Sequence, residues 1–175
     1  MKNKLFTFFW HGPFSQWHKS DFYETVTCFP MLKFFCMEQF MMAKKALLFD
    51  DKETFEKIMA NTSPKQIKDL GREVKNFNQE VWDKFKFSIV YNGNLLKFGQ
   101  NEELRELLFN TGDTILVEAS PYDKVWGIGL AEDAPDALDM NKWLGQNLLG
   151  KALTGVRDQL KCHDLYYQWR TVTDN

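Results

Sequence analysis

Residues 116–130 gather two carboxylates, a hydroxyl, an indole and two glycines behind an apolar run: Leu116-Val117 leads into Glu118, Ser120, Asp123, Trp126, Gly127 and Gly129. Leu116, Val117, Ile128 and Leu130 can anchor buried strand ends, while Ser120-Pro121 breaks the first run and lets the turn after it project Asp123 and Trp126 into a cleft. A second pair stands far away in sequence. Glu38 and Lys45 lie in a stretch of helix formers, and at about 100° per residue they point within about 20° of one direction, two turns apart. Met41 and Met42 fall between them, so a carboxylate and an amine flank a soft apolar floor suited to a flat base or a sugar ring. The same spacing also describes a face with both charged groups in water.

Glu38 opposite Asp123 or Glu118 would supply the acid or stabilising pair that glycosidic cleavage requires. Glu118, inside an apolar strand, reads equally as a buried structural acceptor, and Asp123, in the turn, is the better cleft residue. Trp126 suits stacking on a base, and equally a core position between Val125 and Gly127. Other chemistries lack their signatures. No GxGxxG follows a strand, no Walker loop occurs, and Gly127-Ile128-Gly129 is too short to define a phosphate cradle. His11, His18 and His163 are not at metal-ligand spacing, Ser120 precedes a proline with no histidine nearby in sequence, and Cys36 reads as packing. The pattern points to hydrolysis with no metal and no cofactor.

The 175 residues suffice for one domain with a real core, and the 16 Phe and 6 Trp imply large, shaped side chains inside it. With 22 basic against 24 acidic residues interspersed, no broad field draws the chain to duplex DNA or an anionic membrane. Any nucleic acid would be recognised through one modified base rather than a long phosphate track. Three cysteines, Cys28, Cys36 and Cys162, form no close pair, which argues for a cytoplasmic compartment, and the apolar patch over residues 2–10 is too short for a membrane span.

The elements that must position these groups follow from patterning. Residues 5–10 and 22–29 are aromatic and β-branched with turn residues between, which predicts an antiparallel pair. Helices are expected over 37–48, from Asp50-Asp51 towards Ala60, and from a capping box at Ser63-Pro64-Lys65-Gln66 to a stop at Gly71. Asn78 caps a further helix with Val81, Trp82, Phe85 and Ile89 at helical spacing, interrupted at Gly93, and Asn101 opens another with Leu104, Leu107 and Leu108 on one face. Residues 114–119 form a buried strand, and Asn147 begins a last helix turning Leu149, Leu153, Val156 and Leu160 inward. The class is α+β, a compact single domain with a helical majority and a small antiparallel sheet.

Together these features resemble the NADAR family in order and spacing. The resemblance is carried by Gly12-Pro13-Phe14-Ser15, Glu38-Gln39-Phe40-Met41-Met42-Ala43-Lys44-Lys45-Ala46, Leu70-Gly71-Arg72-Glu73-Val74, Phe98-Gly99-Gln100-Asn101, Thr111-Gly112, residues 118–130, Trp143-Leu144-Gly145-Gln146-Asn147-Leu148-Leu149-Gly150 and Arg157. It runs from about Phe9 to Leu160 within a single domain of residues 1–175. Residues 161–175 form an extension beyond it, in which Tyr166, Tyr167 and Trp169 are expected to pack on the domain. Gln16-Trp17 stands where family members commonly have Asn-Phe, and Gln-Phe-Met-Met follows Glu38 where others have His-Tyr-Phe-Gln.

The resemblance implies cleavage of an N-glycosidic bond between a ribose and an amino group. It assigns catalysis to Glu38, Lys45 and Asp123, and substrate binding to Phe14, Ser15, Arg72, Ser120, Trp126 and Gly127. Lys45 either places positive charge or attacks C1 of an opened ribose as a neutral amine. The favoured substrate is ADP-ribosylated guanine, as nucleoside or in modified DNA. Phosphorylated ribosylamino-pyrimidine intermediates of riboflavin synthesis are the alternative within the family, and a non-catalytic module binding ADP-ribose or a nucleotide is the alternative outside enzymes. No membrane partner is implied.

Overall fold

The computed structural model describes residues 5–25 and 31–173, with side chains through residue 165. Among the described residues, four strands, β1 (Phe6–Phe9), β2 (Phe22–Glu24), β3 (Leu32–Phe34) and β4 (Ile115–Glu118), accompany six α-helices, α1 (Met37–Leu48), α2 (Lys52–Met59), α3 (Pro64–Arg72), α4 (Gln79–Gln100), α5 (Glu102–Phe109) and α6 (Leu148–Thr173). The class is α+β with a helical majority. The chain folds as two compact units, His11–Asn101 and Met1–Trp10 with Glu102–Asn175.

In the His11–Asn101 unit, helix boundaries follow capping chemistry. Asp51 accepts from Thr54 N at 3.1 Å to start α2, Asn78 accepts from Val81 N at 3.0 Å to start α4, and Ser63 with Pro64 at the first position starts α3. The capping box at α3 closes only on one side: Gln66 turns its side chain to Asn61 Nδ2, 3.0 Å away, and Asn61 Oδ1 takes Ser63 N.

α3 stops at Arg72, one residue past the expected Gly71, whereas the interruption expected at Gly93 is absent. A Cβ on Gly71 would sit 1.9 Å from Met42 Sδ, and Gly93 lies inside the uninterrupted α4, where a Cβ would meet the Phe40 ring at 2.6 Å. Both let a helix approach α1 closely, and that packing outweighs the roughly 1 kcal/mol by which glycine disfavours helix. The buried stripe of α4 is correspondingly Trp82, Val90, Gly93, Asn94, Lys97 and Phe98, with Phe85 exposed; on α5 Leu108 is buried and Leu107 exposed.

The expected pairing of residues 5–10 with 22–29 does not form. β2 pairs antiparallel with β3, Phe22 opposite Phe34, and these rings with Phe40 make a cluster at centroid distances of 5.0–5.8 Å. Residues 26–30 lie outside the described residues. The segment that separates the strands is a folded turn rather than a hairpin connection, with Ser15 N bonded to Gly12 O and His18 N to Ser15 O.

In the other unit β1 pairs in parallel with β4, Phe6 with Ile115 through Phe9 with Glu118. The far edge of β4 is completed by side chains of α6 and its start. Thr154 Oγ1 accepts from Leu116 N, Asn147 Nδ2 donates to Leu116 O, and Asn147 Oδ1 accepts from Glu118 N, at 3.3, 3.0 and 3.0 Å. Asn147 is wholly buried with φ 52°, an αL geometry that asparagine tolerates. Leu149, Leu153, Val156 and Leu160 are buried as expected, and α6 runs on to Thr173; the side chains of Tyr166, Tyr167 and Trp169 lie outside the described residues.

Close approach of α6 to β4 depends on Gly150, where a Cβ would stand 2.1 Å from Leu116 O and 2.5 Å from Asn147 Oδ1. Backbone cannot yield as a flexible side chain can. Gly150→Ala is therefore expected to destabilise the protein by about 2 kcal/mol or more despite alanine's better helix propensity. Urea denaturation is the measurement, and an unchanged or raised midpoint would show that β4 and α6 separate freely.

Candidate functional site

Helix α1 begins without a side-chain cap: Cys36, its N-cap, makes none. The turn 12–18 replaces it. Gln16 O accepts from Glu38 N at 2.9 Å, one of the donors a helix start leaves unpaired, and Trp17 Nε1 donates to Glu38 Oε2 at 3.2 Å. Gln16 Nε2 reaches Met41 Sδ at 3.7 Å. Glu38 is only 3% exposed, so it does not lie on a solvated face. Gln39 is also buried, accepting from Phe35 N and donating to carbonyls of Ile58, Met59 and Asn61, which caps the end of α2.

Two turns further along α1, Lys45 is half-buried. Its Nζ donates to Gly71 O at 2.6 Å and stands 4.2 Å from the Phe77 ring centroid and 5.7 Å from that of Trp82. Burial lowers its pKa from the ordinary lysine value. Arg72 is exposed and paired with Asp69 at 2.8 Å. Phe14 packs its ring 6.2 Å from Phe98, and Ser15 Oγ accepts from Trp17 N at 3.2 Å.

Lys97 escaped the sequence reading. It is 0% exposed, and its Nζ donates to Pro13 O at 2.6 Å and Ser15 O at 3.3 Å, tying the turn 12–18 to α4. Burial brings its pKa down to about 7. The available signal was its phase: Lys97 falls one turn beyond Gly93 on the stripe shared with Val90, a place where a lysine can be solvated only by partners. Burial also pushes the Cys36 thiol up to about 11, which leaves it unreactive.

The remaining candidates belong to the second unit. Asp123 Oδ1 accepts from Val125 N at 2.8 Å and Trp126 N at 2.7 Å, so one carboxylate oxygen shapes the turn. The carbonyls of Lys124, Val125, Trp126 and Gly127 accept from the backbone N–H groups of Gln146, Leu148, Leu149 and Asn147, at 2.9–3.2 Å. The loop thereby satisfies donors at the start of α6, and its own backbone is fixed in return. Gly127 is buried where a Cβ would meet Glu118 O at 2.8 Å, and Ser120 is buried beside it. Trp126 is half-buried with both backbone polar groups committed, which leaves its indole as the adaptable part.

Glu38, Lys45, Phe14, Ser15 and Arg72 thus belong to the His11–Asn101 unit, and Asp123, Ser120, Trp126 and Gly127 to the other. Among the described residues no group of three or more His, Cys, Asp or Glu is placed to hold a metal ion, and no helix is long and apolar enough to cross a membrane.

The chain belongs to the NADAR family, whose NADAR domain model matches residues 8–161. It is 49% identical over 146 residues to N-glycosidase R617 of Acanthamoeba polyphaga mimivirus, covering 83% of this chain and 86% of that protein. Riboflavin biosynthesis protein VVA0006 of Vibrio vulnificus is 29% identical over 156 residues, 89% of this chain and 37% of that protein. N-glycosidase YbiA of Escherichia coli is 30% identical over 123 residues, 70% of this chain and 68% of YbiA. The NMR structure of YbiA matches with a TM-score of 0.72 at 25% identity, covering 91% of this chain and 87% of the YbiA chain.

The environment of Lys97 predicts a pH dependence. From about pH 7 to its unfolded value of 10.5, the unfolded chain binds a proton here that the folded chain does not, so this residue makes stability rise with pH across that window. Below pH 7 both states are protonated and the contribution is flat. The stability of wild type relative to Lys97→Met should climb from pH 7 to 9 by at most about 1.4 kcal/mol per pH unit. Parallel curves would mean that the buried amine stays charged.

Proposed function

We propose that the chain is an N-glycosidase whose substrate is ADP-ribosylated guanine, cleaved between the ribose C1 and the guanine amino nitrogen. Hydrolysis of N-glycosyl bonds is the chemistry of its relatives R617 and YbiA by name. The finer assignment rests on the family resemblance, and the 29% identity to a riboflavin biosynthesis protein, 37% of which the chain spans, keeps phosphorylated ribosylamino-pyrimidines as the alternative substrate. The observation that carries the reading is the Glu38 carboxylate, buried and held by Trp17, on the helix face that also presents the desolvated Lys45 amine.

Desolvation raises the share of neutral Lys45, which supports the covalent role over simple charge placement. In that sequence ring opening leaves C1 as an imine of the guanine nitrogen, neutral Nζ adds to C1, and the Glu38 carboxylate relays the two protons that Nζ sheds to the guanine nitrogen, so that the C1–N bond to guanine breaks and a lysyl imine remains. Water then hydrolyses that imine to the C1 aldehyde and restores the amine. The indole of Trp126 offers a stacking face for a base or adenine.

Purified protein incubated with ADP-ribosylated guanosine should release guanosine and ADP-ribose, read by mass spectrometry. Turnover of a phosphorylated ribosylamino-pyrimidine alone would move the assignment to the riboflavin intermediates, and binding without turnover would make the chain a binding module. Glu38→Gln is expected to keep the fold and lose at least ~100-fold in turnover, the low end for a positioned acid or base. Borohydride added during turnover should leave a ribosyl-derived adduct on the Lys45 peptide. Lys45→Arg should abolish adduct and activity together, because guanidinium stays protonated. A Lys45→Arg enzyme with near-normal turnover and no adduct would restrict Lys45 to supplying charge.

A further inference from the structure

Trp17 is 46% exposed, so its ring contributes little to the core, yet its one polar atom is spent on a carboxylate that is almost wholly buried. The indole N–H is a donor only and cannot exchange roles with its partner. Its delivery is built in from several directions. Trp17 N donates to Ser15 Oγ at 3.2 Å, Ser15 O accepts from buried Lys97, and Gln16 O caps Glu38 N while the Gln16 amide reaches Met41 one turn along α1. The turn therefore grips Glu38 at both its backbone and its carboxylate. A carboxylate that only needed burial could be satisfied by any local donor; here a rigid ring with two side-chain torsions is fixed at its root and at its tip.

We propose that Trp17 is the positioning residue of the Glu38 carboxylate, holding Oε2 through its indole N–H so that the carboxylate keeps one orientation towards the proton it transfers. This rests on the acid–base role of Glu38 proposed above. A hydrogen bond to an ionised group is about twice as strong as a neutral one, and a freely rotating carboxylate spends only part of its time in the productive geometry, so the effect belongs to the chemical step rather than to substrate capture. A ring that merely stacked on substrate would instead be served by phenylalanine.

Trp17→Phe keeps an aromatic ring, smaller than the indole, at this exposed position and removes the N–H. With ADP-ribosylated guanosine, kcat should fall about 10-fold or more with KM changed by less than about 2-fold, the signature of an interaction lost in the transition state alone. The same substitution made in a Glu38→Ala background, which lacks the acceptor, should cost nothing further in residual turnover. In protein labelled with 15N-tryptophan, the indole N–H resonance that disappears in Trp17→Phe should move upfield in Glu38→Ala, a readout independent of activity. Unchanged kcat in Trp17→Phe, a loss that persists without Glu38, or an indole resonance indifferent to Glu38 would each overturn the inference while leaving Glu38 catalytic. A folded Glu38→Gln enzyme with wild-type turnover would overturn the role of Glu38 itself, and this inference with it.

Discussion

Helix α1 is buried along most of its length, and its eight buried residues include a carboxylate and an amide as well as the methionines and Phe40. Polar groups in such a place must be partnered, at a cost of about 1–3 kcal/mol for each that is not. That requirement organises the His11–Asn101 unit. Gln39 recruits the end of α2 and the end of β3, Glu38 recruits the turn 12–18, and Lys45 recruits the carbonyl of Gly71 on α3. The turn in turn needs Lys97, so a lysine on α4 becomes an internal donor for a loop. Packing of α3 and α4 onto α1 then proceeds only because Gly71 and Gly93 leave room for Met42 and Phe40.

The second unit solves a different problem with backbone. A two-stranded parallel pair leaves one edge of β4 unsatisfied, and α6 closes it with Thr154 and the buried amide of Asn147 acting as a one-residue strand. Asn147 also gives its own N–H to Gly127 O, so the same residue binds the strand, the helix start and the motif loop. Asp123 consequently has a structural duty whatever else it does: without its Oδ1 the N–H groups of Val125 and Trp126 lose their acceptor and the loop loses its shape. Loss of activity in an Asp123 variant would thus not by itself distinguish chemistry from loop geometry.

Much of this was legible in the sequence where a local rule decides. The span of α1, the caps Asp51, Ser63 and Asn78, the strand at Ile115–Glu118 and the inward stripe of α6 follow from periodicity and capping chemistry, and the joint motifs carried the family. Errors arose where tertiary contact overrules propensity. Gly93 looks like a breaker in one dimension and is a close-approach position in three. β1 and β2 look like hairpin partners because nothing local says that β4, over a hundred positions on, offers a longer apolar edge. The roles of Lys97 and Trp17 were not legible: a lysine is ordinarily solvated, Trp17 stands out in the sequence only within the Gln16-Trp17 departure from Asn-Phe, and only the surrounding carbonyls and the Glu38 carboxylate reveal that each serves as a donor.

Lys45 shows how far such surroundings constrain chemistry. The rings of Phe77 and Trp82 and the Gly71 carbonyl all favour an ammonium, whereas burial disfavours it, and the balance lowers the pKa. A carbonyl acceptor occupies one N–H and leaves the nitrogen lone pair unspent once the proton is lost, which a carboxylate partner would prevent by holding the charge. Among the described residues no carboxylate pairs with this amine, so it is anchored without being neutralised by a salt bridge, the condition that the proposed nucleophilic role needs. On that proposed route the aromatic faces would stabilise a cationic imine by the same interaction that tolerates the ammonium, so that both charged states of the nitrogen are accommodated without rearrangement of the helix that carries it.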